Sequence, residues 1–323
     1  LLVSAARAQL TSRYLPVAPG ADIPISEIRG AQSGPTLALV AGIHGYEYTP
    51  ILALQRLRAV LLPDRLSGTV LLVHAANLPS LLRRTIYYGP QDGQNLNRVF
   101  PGRPDGTLSE RLAHALTTQV IERADYLIDL HCGDGNESLR PYSYWMRTGK
   151  PDLDERSRRL AVAFGLDHIV IDVERPRDPA QSMYCSNTAA TRGKPAITVE
   201  SGGLGATDEP SIAAIVAGID RVLHHLKMLP GPEPQPITPV WIVRNAVLRS
   251  EATGLFYPQV SKDQPVAQGE LLGHVTDFFG QKLFELRAPF SGKILYIIAT
   301  PPITKGEPLA MIGATGPVPG PRN

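Results

Sequence analysis

Through the first 230 residues, short apolar runs alternate with stretches of helical periodicity, a rhythm that leaves few architectures open. Leu37 to Ile43 is an apolar run ending in Gly-rich sequence, and a helical pattern follows from about Thr49 to Leu62, stopped by Pro63. The alternation recurs as apolar Thr69 to Ala75, helical Ser109 to Arg123, strand Tyr126 to His131 and helix Asp152 to Phe164. Strands His168 to Val173 and Ala196 to Glu200 and a helix near Pro210 to Met228 complete it. Buried strands separated by helices imply an α/β fold, a mixed and mostly parallel sheet with helices on both faces. In such sheets ligands lie beyond the carboxyl ends of the strands, and His44, His131 and Glu200 all stand at strand ends.

The rhythm breaks at Leu229 to Pro239, LPGPEPQPITP, whose Pro content cannot continue a helix and suits an extended connection. Beyond it come short strand-like runs broken by Gly and Pro: Ala246 to Leu248, Leu271 to Val275, Leu283 to Leu286 and Lys293 to Ile298. The expected organisation is a main domain at 1–230, a linker at 231–240 and a smaller C-terminal all-β domain at 241–323. A chain of 323 residues exceeds the usual size of one core, which agrees with two units. The 32 basic and 30 acidic residues are spread along the chain, so a nucleic-acid partner is not expected. No apolar run reaches the roughly 18 residues of a membrane span. The visible start carries no charged-then-apolar signal, and two cysteines are too few for a disulfide framework, so a cytoplasmic protein is expected.

Four segments carry chemistry. His44-Gly45-Tyr46-Glu47 sets an imidazole and a carboxylate three residues apart where a strand yields to a helix, close enough to share one ion. Such a pair alone could be surface groups or a buried histidine, but Asp129-Leu130-His131 supplies a second imidazole at another strand end. Two His and one Glu is a ligand set of catalytic zinc, which leaves a coordination position for water. On a period of two, Asp129 shares a face with His131 and could orient its ring. Glu200, tipping the run Ile197 to Glu200 before Ser201-Gly202-Gly203, could act as a general base or could merely cap the next helix. Asn97 and Arg98, within QNLNRVFPG, present an amide and a planar fork suited to a carboxylate. Phosphate loops, nucleophile elbows and dinucleotide fingerprints are missing from the sequence.

Taken in order, His-Gly-x-Glu, Asn-Arg followed by Phe-Pro-Gly, Asp-Leu-His and Val-Glu-x-Gly-Gly resemble the succinylglutamate desuccinylase and aspartoacylase family, which is related to the zinc carboxypeptidases. The match anchors residues 36 to 205. The resemblance implies one Zn2+ per chain on His44, Glu47 and His131, Glu200 as general base, and Asn97 with Arg98 on a substrate carboxylate. It also implies a carbonyl-polarising Arg84 within the stretch Asn77 to Tyr88, with Arg83 as a competitor. One departure stands out: many relatives carry Asp where this chain has Asn95. A poorer acceptor there implies that another carbonyl or carboxylate orients His44, or that metal binding is weaker.

The implied activity is zinc-dependent deacylation of a small N-acylated amino acid or related carboxylate-bearing molecule. Alternatives are a carboxypeptidase-like hydrolase of short peptides and a non-catalytic binding protein on the same fold. A small-molecule N-acyl substrate is the expected partner, and a homo-oligomer is allowed. The tail, with Ala288 to Lys293, resembles biotinyl and lipoyl folds, but Lys282 in DFFGQKL lacks the flanking residues of a modified lysine. A tail that packs at the mouth of the site and limits substrate size is the better expectation.

Overall fold

The computed structural model describes residues 8–318. Strands β1 (Gln9–Leu15) and β2 (Ile23–Arg29) lead into β3 (Gln32–Ala41), helix α1 (Tyr48–Val60) and β4 (Ser67–Val73). Helix α2 (Leu78–Arg83), a long loop and α3 (Leu108–Leu116) precede β5 (Tyr126–His131). Next come β6 (Glu137–Leu139), β7 (Tyr142–Met146), α4 (Pro151–Phe164), β8 (His168–Asp172), α5 (Cys185–Thr191), β9 (Ala196–Glu200) and α6 (Glu209–His225). The last elements are strands: β10 (Val240–Arg249), β11 (Gly254–Pro258), β12 (Pro265–Val266), β13 (Leu271–Thr276), β14 (Lys282–Arg287), β15 (Gly292–Ile298), β16 (Pro302–Ile303) and β17 (Pro308–Thr315).

The main sheet runs β1-β2-β4-β3-β5-β9-β7-β8-β10-β17-β15-β12. Its centre, β4-β3-β5-β9, is parallel, while β7 runs antiparallel to β9 and so points its first residue at the same sheet edge as Glu200. Both faces are covered, and the period-2 geometry of a strand shows how. Leu37, Leu39 and Ala41 of β3 join a core with α1, α4 and α6, while Ala38 and Val40 join a second core with α3 and α5. The same split on β5 sends Ile128 and Leu130 to the first core and Leu127 to the second. Strands buried on both faces read as continuous apolar runs, which is why they were legible.

The sheet does not stop at the Pro-rich segment. Residues 231–239 have no regular structure, but β10 then pairs in parallel with β8, Val240 opposite His168, before pairing with β17. The C-terminal strands therefore extend the main sheet, and β14-β13-β11-β16 form a second, four-stranded sheet over their own core. A shared cluster of Leu139, Tyr142, Val170, Ile242, Leu295 and Met311 joins the two parts. Arg140, itself buried, pairs with Asp263 at 2.7 Å and with Asp167 at 3.2 Å across the same junction. No helix among the described residues is long and apolar enough to cross a membrane.

Candidate active site

His44 and Glu47 occupy a tight connection between β3 and α1 that only glycines allow. Gly42 has φ +71°, and a Cβ on Gly45 would lie 2.3 Å from Ser80 O and 2.6 Å from Thr85 O. This close approach of the α2 region holds the connection, and Glu47 is then the first residue before α1. His131 ends β5, and the β5–β9 register sets it beside Glu200. Distant sequence segments thus meet at one sheet edge, as the strand-end pattern implied.

The geometry converges on Glu47. Its Oε1 lies 2.6 Å from His44 Nδ1 and its Oε2 lies 2.8 Å from His131 Nδ1. One ligand atom from each of the three residues falls within 4.8 Å of the others, a spacing a single ion can bridge. Burial alone would push Glu47 up, but the His131 and His44 imidazoles outweigh it and hold the carboxyl at about 2. The Glu47 and Asp129 carboxylates flank the His131 ring, and the acids around Glu200 push its carboxyl up, a crowding that a cation would relieve. The residues present therefore fit a divalent ion in donor type, spacing and charge.

The far sides of the two rings are also held. His131 Nε2 lies 3.0 Å from Asp129 Oδ1 and 3.3 Å from Asn97 Nδ2. Asn97 is fixed in turn because its Oδ1 accepts from Cys185 N at 2.8 Å. His44 Nε2 lies 3.1 Å from Asn95 Oδ1, which also accepts from Asn97 N at 2.8 Å. Of the two outcomes expected from Asn95, a substitute acceptor for this face of His44 is not what the structure shows, since the Asn95 amide oxygen itself takes that place. The backbone donor fixes which end of the amide faces the ring, so Asn95 presents its oxygen to His44.

His44, Glu47, His131, Asn95 and Asn97 border a cavity of about 290 Å³ that also takes in Glu200, Arg98 and Glu137. Burial pushes the Glu200 carboxyl well above the usual range; His131 opposes this, while Glu47, Glu137 and Asp129 reinforce it. Arg98 lies over the Tyr184 ring, 4.7 Å from its centroid, and donates to Asn97 O at 2.7 Å. Arg175 stacks on the same ring at 3.8 Å and pairs with Asp172. Arg84 is not brought to the cavity. It is the left-handed cap of α2, φ 53°, and both it and Arg83 are exposed and absent from the cavity wall. A helix end in place of an inward loop is the physical reason.

Several lining residues escaped the sequence reading: Glu137, Tyr144, Arg175, Arg249 and Tyr296. Arg175 follows the carboxyl end of β8, so the rule that singled out His131 and Glu200 also points to it. Arg249 and Tyr296 come from β10 and β15 and have no local signal.

The catalytic-domain model of the succinylglutamate desuccinylase/aspartoacylase family matches residues 33–226. The chain belongs to that family. It is 31% identical over 299 residues to N-alpha-acetyl-L-2,4-diaminobutyric acid deacetylase of Halomonas elongata, covering 90% of this chain and 85% of that protein. Among solved structures, the product-bound ectoine utilization protein EutE of Ruegeria pomeroyi superposes with a TM-score of 0.84 at 28% identity, over 97% of this chain and 98% of that one. A succinylglutamate desuccinylase/aspartoacylase from Rhodobacter sphaeroides gives 0.82 at 25% identity, over 98% and 99%. The family likeness therefore extends over the C-terminal strands as well as the matched catalytic segment.

Proposed function

We propose that this family member is a zinc-dependent deacylase that cleaves the amide bond of a small N-acylated amino acid. In this reading His44, Glu47 and His131 hold one zinc ion, Glu200 is the general base, and Asn97 with Arg98 engages the substrate carboxylate. The observation that carries the reading is the convergence of both Nδ1 atoms on Glu47 with Glu200 on the neighbouring strand. A bound zinc ion supplies Lewis acidity toward the amide carbonyl and makes a nearby water more acidic.

The protein's own residues do the rest. Glu200 faces the cavity and takes a proton from the attacking water, then returns it to the departing amine. Its upward-shifted carboxyl suits a group that must hold that proton. Arg98, stacked on Tyr184 beside Arg175, is pre-oriented to pair with a carboxylate. Asp129 and Asn95 keep the two imidazoles turned toward Glu47. Arg84, exposed outside the cavity, has no part in this reading.

The C-terminal strands favour a deacylase over a hydrolase of longer peptides. Val247, Arg249, Tyr296 and Pro308 wall the cavity, leaving about 290 Å³ for the substrate. The name of the Halomonas relative, a deacetylase of an N-acetylated amino acid, supports the same choice. The test is amine release from N-acetyl and N-succinyl amino acids by zinc-loaded protein, with short peptides alongside. Glu200→Gln should keep its metal and lose about 10²- to 10⁴-fold in turnover. An undiminished Glu200→Gln, or a preference for peptides, overturns the reading.

A further inference from the structure

Most of the strands that end the two sheets are blunted. β6, β12 and β16 have three residues or fewer, the last two with a proline, and β14 sets Lys282, Glu285 and Arg287 along an edge whose register slips. Short strands, prolines, charges and bulges keep an edge from pairing with another chain. β1, at the end of the main sheet, has one charge and no other guard. Its seven residues, QLTSRYL, pair with β2 in unbroken register, without a proline, and five of them are exposed. Among the described residues its backbone bonds only β2, so an alternate set of N–H and C=O groups points outward unpaired.

The strand is also self-complementary. Strands paired edge to edge about a two-fold axis keep each face together, so residues of the same parity oppose each other. An axis through Ser12 overlaps all seven residues and sets Leu10 against Tyr14 and Thr11 against Arg13, each twice, with no like charges opposed. Moving the axis to Arg13 would bring two arginines face to face. The α1 side of the strand fits the same partner. Leu10 packs on the core there, and Ser12 Oγ accepts from Arg58 Nε of α1 at 3.2 Å, so the period of two places Tyr14 on this side, 65% exposed. The helix that Arg58 ties to the strand ends in Val60, 61% exposed, and Leu62 follows at 56%. Pairing at the edge covers this apolar fringe together with the open backbone groups.

We propose that β1 is a homodimer interface, at which two copies of the chain pair antiparallel and join their main sheets into one. The occupant is a second copy because one two-fold register satisfies both edges at once and matches apolar to apolar and cation to neutral on the two faces. None of these residues lines the cavity, so the interface stands apart from the deacylase reading. One strand pair with its fringe is a small contact, and the dissociation constant is on the order of tens of micromolar.

Sedimentation equilibrium of the full chain over a concentration series tests this. Wild type should pass from monomer to dimer. Thr11→Lys opposes a lysine to Arg13 of the second copy at two places and should raise the dissociation constant by about 2- to 30-fold. Within its own chain position 11 faces Glu27 of β2, so the fold tolerates a lysine there. Arg13→Glu alone should not weaken the dimer, and the double variant Thr11→Lys/Arg13→Glu should restore it by pairing lysine with glutamate across the axis. A wild type still monomeric at about ten times the stated constant overturns the proposal. So does a dimer that Thr11→Lys leaves intact, or a loss that adding Arg13→Glu does not repair.

Discussion

Replacing Asn95 with Asp should tighten zinc binding by about five- to tenfold. Asn95 Oδ1 faces His44 Nε2 at 3.1 Å while accepting from Asn97 N at 2.8 Å, so the substitution changes the charge of an acceptor already in place. A neutral hydrogen bond contributes about 0.5–1.5 kcal/mol and one to a charged group about 1.5–3 kcal/mol. The difference is about 1 kcal/mol, and the half-buried setting of Asn95 keeps it at the lower end. At about 1.4 kcal/mol per decade this gives the stated factor. The new charge also lies near Glu47, which shares His44 with it, so the metal-free protein should lose stability while the loaded protein gains affinity. Competition with a chromophoric chelator measures the affinity, and calorimetry of the metal-free protein measures the stability. Asn95→Ala should weaken binding about tenfold, the lower end of the range for lost ring-orienting partners, because water can take its place. If neither substitution moves the affinity, Asn95 does not orient His44 and the reasoning fails.

Other parts of the structure give further tests. Glu155 is held at about 2, below its ordinary 4.5, chiefly by Arg158 and then by Arg159. A depressed carboxylate stabilises fully above 4.5 and loses that contribution as pH falls toward 2. The pairs are exposed, so Glu155→Gln should cost less than about 1 kcal/mol at neutral pH in urea unfolding. The gap should shrink between about pH 4.5 and about pH 3, and a constant gap contradicts the assignment. A Cβ on Gly218 would lie 2.4 Å from Phe164 Cε1 between α6 and α4, so Gly218→Ala should destabilise by about 1–3 kcal/mol; unchanged unfolding would show slack in that contact. Deleting residues 240–318 should leave an insoluble remainder. It strips β10 from β8 and removes Ile242, Leu295 and Met311 from their shared cluster with Tyr142 and Val170, and a folded, monomeric truncate refutes this.

Much of the sheet was readable because its central strands are buried on both faces. Tyr126–His131 and Ala196–Glu200 appear in the structure with the bounds their apolar runs implied. Strand β7 was not read: YSYWM mixes polar and aromatic residues, follows Pro141 directly and breaks the strand–helix alternation. The Pro-rich segment pointed to a break between units, but a change of sequence rhythm cannot reveal that β10 pairs across it with β8. The three residues around Glu47 were legible because ligand chemistry demands particular side chains at strand ends. Arg84 was placed by the resemblance of Asn77 to Tyr88 to a family stretch, and in the structure it is the left-handed cap of α2 and does not line the cavity. Glu137, Arg249 and Tyr296 reach the cavity through long-range pairing, which leaves no mark in their own neighbourhoods.

The central claim is that three residues from two distant segments grip one metal ion. Anomalous scattering at the zinc edge from crystals of the zinc-loaded protein addresses it directly. A single peak per chain is expected, about 2.0–2.2 Å from His44 Nδ1, His131 Nδ1 and a Glu47 carboxylate oxygen. A peak held by other side chains, or His44 and His131 on separate ions, would contradict it.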